Sequence, residues 1–192
     1  MKRNDIVVLN ERTKNNEHAD IVGLRNTTLS DYMLWCAASD GTRTNFADVA
    51  FGNDDVSLSH ENFLTRVAAV QDMFDSGKTI MKTRVVFDQD YLRAMRVIRN
   101  GDVDQRMLRF AIMAGCASLR PDFAELQYVG VIQVDPAHVH CDVIMVDVGE
   151  GRTTHNGSQC GVISPSQVHE FKRVVDESLR RQADRMPIAV HV

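Results

Sequence analysis

The fold turns on Val129-Gly-Val-Ile-Gln-Val-Asp-Pro-Ala-His-Val-His-Cys-Asp-Val-Ile-Met-Val146. Two apolar, β-branched runs, 127–134 and 138–147, flank the short Asp135-Pro136-Ala137 link. A link of that length forces the two strands to be antiparallel neighbours. On the second strand, side chains two residues apart share a face. His138, His140 and Asp142 therefore point one way, and Val139, Cys141 and Val143 the other. Neutral imidazole is the commonest nitrogen ligand of divalent ions, so the pair makes half of a metal site. The same pattern also describes two polar residues on the wet face of a half-buried strand.

Upstream, a short apolar run at 6–9 predicts a strand, followed by a polar loop. Residues 29–38 predict a helix, with Ser30 or Asp31 near its start, and 40–57 read as a loop. Ser59 caps a helix whose stripe runs Phe63, Leu64, Val67, Ala68, Val70, Phe74, with Gly77 as its stop. Thr79–Phe87 reads as a strand. Asp88 then opens a helix carrying Leu92, Met95 and Ile98 to Gly101, and Asp104 opens another through Leu119, ending before Pro121. Gly149–Gly161 is a glycine-bearing loop. Ser164-Pro165-Ser166-Gln167 then combines an N-cap serine, proline at the first helical position and a capping-box glutamine. The expectation is an α/β (α+β) fold over 1–192 as one domain, a central antiparallel sheet with helices packed mostly on one face.

The length of 192 residues suffices for one domain with a proper core, and 25% charged residues is ordinary for a globular protein. Residues 6–9 are too short for a signal peptide core, and no apolar run approaches the roughly 20 residues of a membrane span. Cysteines 36, 116, 141 and 160 form no C-x-x-C pair, which argues against a disulfide framework and fits a cytoplasmic protein. A net charge of −4 argues against non-specific nucleic-acid binding by the molecule as a whole. Arginines nevertheless gather at 84–120 and again at 172–185 with Lys172, as a phosphate track or as paired, solvated helix faces.

The order of features is specific. Asp31-Tyr32-Met33-Leu34-Trp35 comes first, then a helix ending Met73-Phe74-Asp75-Ser76-Gly77-Lys78, then Val85-Val86-Phe87-Asp88-Gln89-Asp90-Tyr91-Leu92. Val131-Ile132-Gln133, His138-Val139-His140 and a last helix with Phe171-Lys172 follow. Strongest over 28–180, this order resembles the MobL-type relaxases of plasmid mobilisation and conjugation, within the H-U-H endonucleases.

The resemblance implies an enzyme that nicks and rejoins single-stranded DNA at a transfer origin. Its paired histidines, here His138 and His140, hold Mg²⁺ or Mn²⁺, which polarises the scissile phosphate. A tyrosine hydroxyl, here Tyr32, attacks phosphorus and leaves a 5′-phosphotyrosyl link with a free 3′-OH. Tyrosine, with a pKa near 10, is a poor nucleophile at neutral pH unless a base or cation assists it. The resemblance also implies DNA contacts from Lys172 and Arg173, and accessory mobilisation proteins as partners. Where the family usually has a third histidine, this sequence has Gln133, whose amide oxygen is a weaker ligand for a hard cation; Asp135 and Asp142 are the alternatives. Trp35, the only tryptophan, is either a core residue or a platform on which a base stacks. Two other functions are weighed: a non-catalytic DNA- or protein-binding module that keeps the fold, and an unrelated H-x-H metal-dependent phosphoesterase.

Overall fold

The computed structural model describes residues 6–13, 28–38, 46–123, 125–134, 138–149 and 163–185. Along the chain lie β1 (Ile6–Thr13), α1 (Leu29–Ala38), α2 (Phe46–Val49), β2 (Ala50–Gly52), α3 (His60–Asp75), β3 (Ile80–Phe87) and α4 (Gln89–Ala94). After them come β4 (Ile98–Arg99), β5 (Asp102–Val103), α5 (Gln105–Ser118), β6 (Leu126–Val134), β7 (Val139–Asp147) and α6 (Pro165–Asp184). Five strands form one antiparallel sheet in the order β1-β3-β7-β6-β2, so the histidine strand is central. As expected, β6 and β7 are adjacent and antiparallel, with Val134 opposite Val139 at the turn end. The link 135–137 and the loop at 150–161 lie outside the described residues.

The fold class is the one expected, but the helices cover both faces of the sheet rather than mostly one. Val85, Phe87, Cys141, Val143, Met145 and Ile132 face α4, α5 and α6 in one apolar cluster. Ile80, Val129, Val131, Ile144 and Val146 face α1 and α3 in a second. The reason is the composition of β6 and β7, which are apolar at consecutive positions and so need cover above and below.

Two further differences have local causes. The stretch expected to be a loop at 40–57 contains α2 and the edge strand β2, which pairs with β6 through Phe51 opposite Gly130. The Phe51 ring fills the space that any Cβ at residue 130 would need. The helix expected to run to Gly101 stops at Ala94, because Arg96 turns to positive φ (59°) just past the Met95 cap; Asn100 and Gly101, also at positive φ (53° and 91°), then close the β4–β5 hairpin. An Asn-Gly pair meets that demand at little strain. The caps Ser59, Asp88, Asp104 and Ser164 all accept the backbone bonds their positions predict, and Gln167 completes the box at Ser164.

Candidate functional site

The chemistry-bearing side chains meet on the α1 and α3 face, where β3, β7 and β6 present alternate residues. Register sets Arg84 opposite Asp142, Val86 opposite His140, and Gln133 opposite His140 from the other side. Helix α1 crosses above them. It is started by Thr28, whose hydroxyl accepts from the Asp31 amide while the Asp31 carboxylate accepts from the Thr28 amide and hydroxyl. That reciprocal cap sets the helical phase in which Tyr32 and Cys36, four residues apart, both turn inward and are buried.

Tyr32 is 3% exposed, and its hydroxyl lies 3.5 Å from Arg84 Nη2. Arg84 forks onto Asp142, donating from Nε at 2.8 Å and from Nη2 at 2.9 Å. Asp142 is fully buried. Its Oδ2 also accepts from the Cys36 thiol at 3.6 Å and lies 3.9 Å from His140 Nε2, an ion-pair distance too long for a hydrogen bond. Lys82 places Nζ 4.1 Å from the centre of the Tyr32 ring. Tyr32 and His140 thus share one polar cluster, with Asp142 between them.

Burial, then the Asp142 charge, then Cys36 hold the Tyr32 hydroxyl well above the usual phenol range, and Arg84 opposes them. The same two leading causes push the Cys36 thiol up to about 12. The fork onto Asp142 raises Arg84 above its ordinary value, so the guanidinium is permanently charged.

His140 is half-buried and His138, immediately before β7, is exposed. By strand alternation the two imidazoles share the face that carries Asp142. Gln133 is buried, and its amide nitrogen donates to the Cys36 carbonyl at 2.6 Å, tying α1 to the sheet. Any ligation by Gln133 would therefore come from its oxygen. His138, His140 and that amide oxygen are the groups here whose chemistry could hold a divalent ion. Among the described residues, no group of three or more His, Cys, Asp or Glu side chains is arranged to hold a metal.

The other expected site residues separate. Trp35 is 56% exposed beside Tyr32, ring centres 6.5 Å apart, so it is not a core residue. Lys172 and Arg173 lie on α6, which packs through Phe171, Val175 and Leu179 into the cluster on the opposite face of the sheet. Arg173 is engaged by Glu170 and Glu177, as Arg93 is by Asp90, Arg99 by Asp104 and Arg180 by Asp176. These arginines are paired with nearby acids. Arg84, Lys82 and Cys36 were not singled out as site residues from the sequence. Alternation along β3 places Lys82 and Arg84 on one face, but only the β3–β7 register shows that it is the histidine face.

Among the described residues, no helix is long and apolar enough to cross a membrane. No curated protein matches the chain. A family model described as MobL relaxases matches residues 2–192.

Proposed function

The chain belongs to the MobL relaxase family, and from that premise we propose that it nicks and rejoins single-stranded DNA at a transfer origin through a phosphotyrosyl intermediate on Tyr32. Membership supports the coarser statement, a relaxase-type function in plasmid mobilisation that acts on DNA. It also removes the ground for an unrelated H-x-H phosphoesterase. The observation that carries the finer reading is the convergence of Tyr32 and His140, 108 positions apart, on either side of Asp142.

In this reading Tyr32 is the nucleophile and the mouth of the site holds the scissile phosphate. His138, His140 and the Gln133 oxygen would hold Mg²⁺ or Mn²⁺, which supplies Lewis acidity at a phosphoryl oxygen when bound. Asp142 is the carboxylate beside the His140 imidazole, 3.9 Å from Nε2. The Gln133 bond to the Cys36 carbonyl holds α1, and hence Tyr32, at a fixed height above the sheet. Trp35 offers an exposed indole beside Tyr32 on which a base flanking the scissile phosphate stacks. Lys172 and Arg173 on the far face serve DNA leaving the site, or an accessory mobilisation protein. The whole chain acts as one relaxase domain in the cytoplasm.

A non-catalytic module with the same fold is the second reading. It is favoured by the buried, hard-to-ionise Tyr32 hydroxyl and by the use of Gln133 as a helix tie. Covalent trapping separates the two. Labelled single-stranded oligonucleotides tiling the DNA around the coding region are incubated with Mn²⁺ and resolved under denaturing conditions. The catalytic reading expects a protein–DNA adduct; retention of DNA without an adduct supports the binding module.

A further inference from the structure

We propose that Arg84 is a catalytic cation of the strand transfer, stabilising charge on the Tyr32 oxygen as it attacks phosphorus. The proposal rests on Tyr32 being the nucleophile. Antiparallel pairing of β3 with β7 puts Arg84 directly across from Asp142. The buried carboxylate takes the guanidinium in a two-point fork, which fixes its plane as a single bond would not. With the plane fixed, Nη2 stays 3.5 Å from the phenolic oxygen. Contacts of this length in a free enzyme tighten once substrate is bound.

The surroundings suit this role. The Arg84 side chain is 38% exposed, so its outer edge is open to an arriving phosphodiester while its inner edge is tied to Asp142. Lys82, two residues earlier on the same strand, stands over the ring of the same tyrosine. Two cations of one strand face therefore approach the phenol, one at its ring and one at its hydroxyl. A guanidinium is the appropriate group for an oxygen that gains charge next to a fixed carboxylate, because it keeps its charge throughout.

The step balances without a co-reactant. A lone pair on the Tyr32 oxygen forms the new P–O bond, and the P–O3′ bond breaks with its electron pair staying on the 3′ oxygen. The phenolic proton passes to water, and the 3′ oxygen takes a proton from water. Arg84 exchanges no proton. Rejoining runs the same step backwards, so Arg84 acts in both directions.

The test measures single-turnover adduct formation at saturating 3′-labelled oligonucleotide with Mn²⁺, beside DNA affinity by anisotropy and unfolding midpoint. Arg84→Ala is expected to slow adduct formation by about 100-fold, the scale for losing one such electrostatic contact. Millimolar guanidinium ion should restore part of that rate, and Arg84→Lys should fall between, since an ammonium lacks the fork. If Arg84→Ala does not fold, the double variant Arg84→Gln/Asp142→Asn removes both charges and carries the same expectation. A rate within about threefold of wild type at saturating DNA overturns the proposal, because loss of such a contact predicts far more. So does a slowed rate that ignores guanidinium in a folded variant. If the wild type gives no adduct, the reading of Tyr32 as nucleophile fails too; an adduct in both wild type and Arg84→Ala at equal rate removes Arg84 alone.

Discussion

Arg84 and Asp142 form a two-point ion pair across neighbouring strands, at 2.8 and 2.9 Å, with the carboxylate fully buried and the guanidinium partly open to solvent. The pair sits between the tyrosine and the half-buried histidine. Removing one partner of a buried pair leaves the other uncompensated and is strongly destabilising. Because Arg84 is partly exposed, solvent screens part of that effect. Asp142→Ala is expected to lower stability by about 2 kcal/mol, less than the roughly 3–5 kcal/mol of a fully buried pair because of that screening. Urea unfolding checks it, and a loss under about 0.5 kcal/mol would place the pair among ordinary surface bridges.

Gly130→Ala is expected to destabilise by about 1–3 kcal/mol, the range for overpacking a filled core. The Phe51 ring occupies the space of the new methyl group, and the edge strand β2 is held to β6 at that point. Thermal unfolding of Gly130→Ala beside Gly130→Ala/Phe51→Leu tests the cause. Recovery in the double variant is the expected result; equal losses would point elsewhere.

Trp35→Ala is expected to weaken single-stranded DNA binding about tenfold while leaving the fold intact, within the range for one base stacked on an aromatic. The indole is more than half exposed, so its removal costs little packing. As the only tryptophan, it also reports directly: its fluorescence should be quenched when DNA is added. Binding with unchanged emission would place the DNA away from α1.

Cys36 gives a pH signature. Its thiol rises from the ordinary 9 to about 12 in the fold, mainly by burial and then by Asp142. The folded state therefore holds its proton more tightly than the unfolded chain. The resulting stability is fully present below about pH 9 and is lost as the pH rises towards 12, by linkage. Urea midpoints at pH 7, 9 and 10.5 should fall over the last interval, and Cys36→Ser should fall less. An identical decline in both would assign it to other groups.

Much of this was legible in the sequence for local reasons. His138, His140 and Asp142 share a face by strand alternation alone, and the caps Ser59, Asp88, Asp104 and Ser164 act within three residues of themselves. The Asn100-Gly101 hairpin carried its own local signal, masked by the apolar spacing of Leu92, Met95 and Ile98. What was not legible is non-local. Strand β2 exists because Phe51 finds a glycine on β6, and Arg84 belongs to the site because of a pairing register 58 residues away. Trp35 sits on the outside of α1 because Tyr32 and Cys36 take the inner side, a helical phase set by the Thr28–Asp31 cap.

The central claim is that Tyr32 forms a covalent bond to DNA, and the direct measurement is adduct formation by wild type and Tyr32→Phe. Both proteins are incubated with 3′-labelled single-stranded oligonucleotides and Mn²⁺, then denatured and resolved. The account predicts a labelled protein band with wild type that disappears with Tyr32→Phe although DNA is still bound. An adduct of equal yield from Tyr32→Phe, or DNA binding by wild type without any adduct, would contradict it.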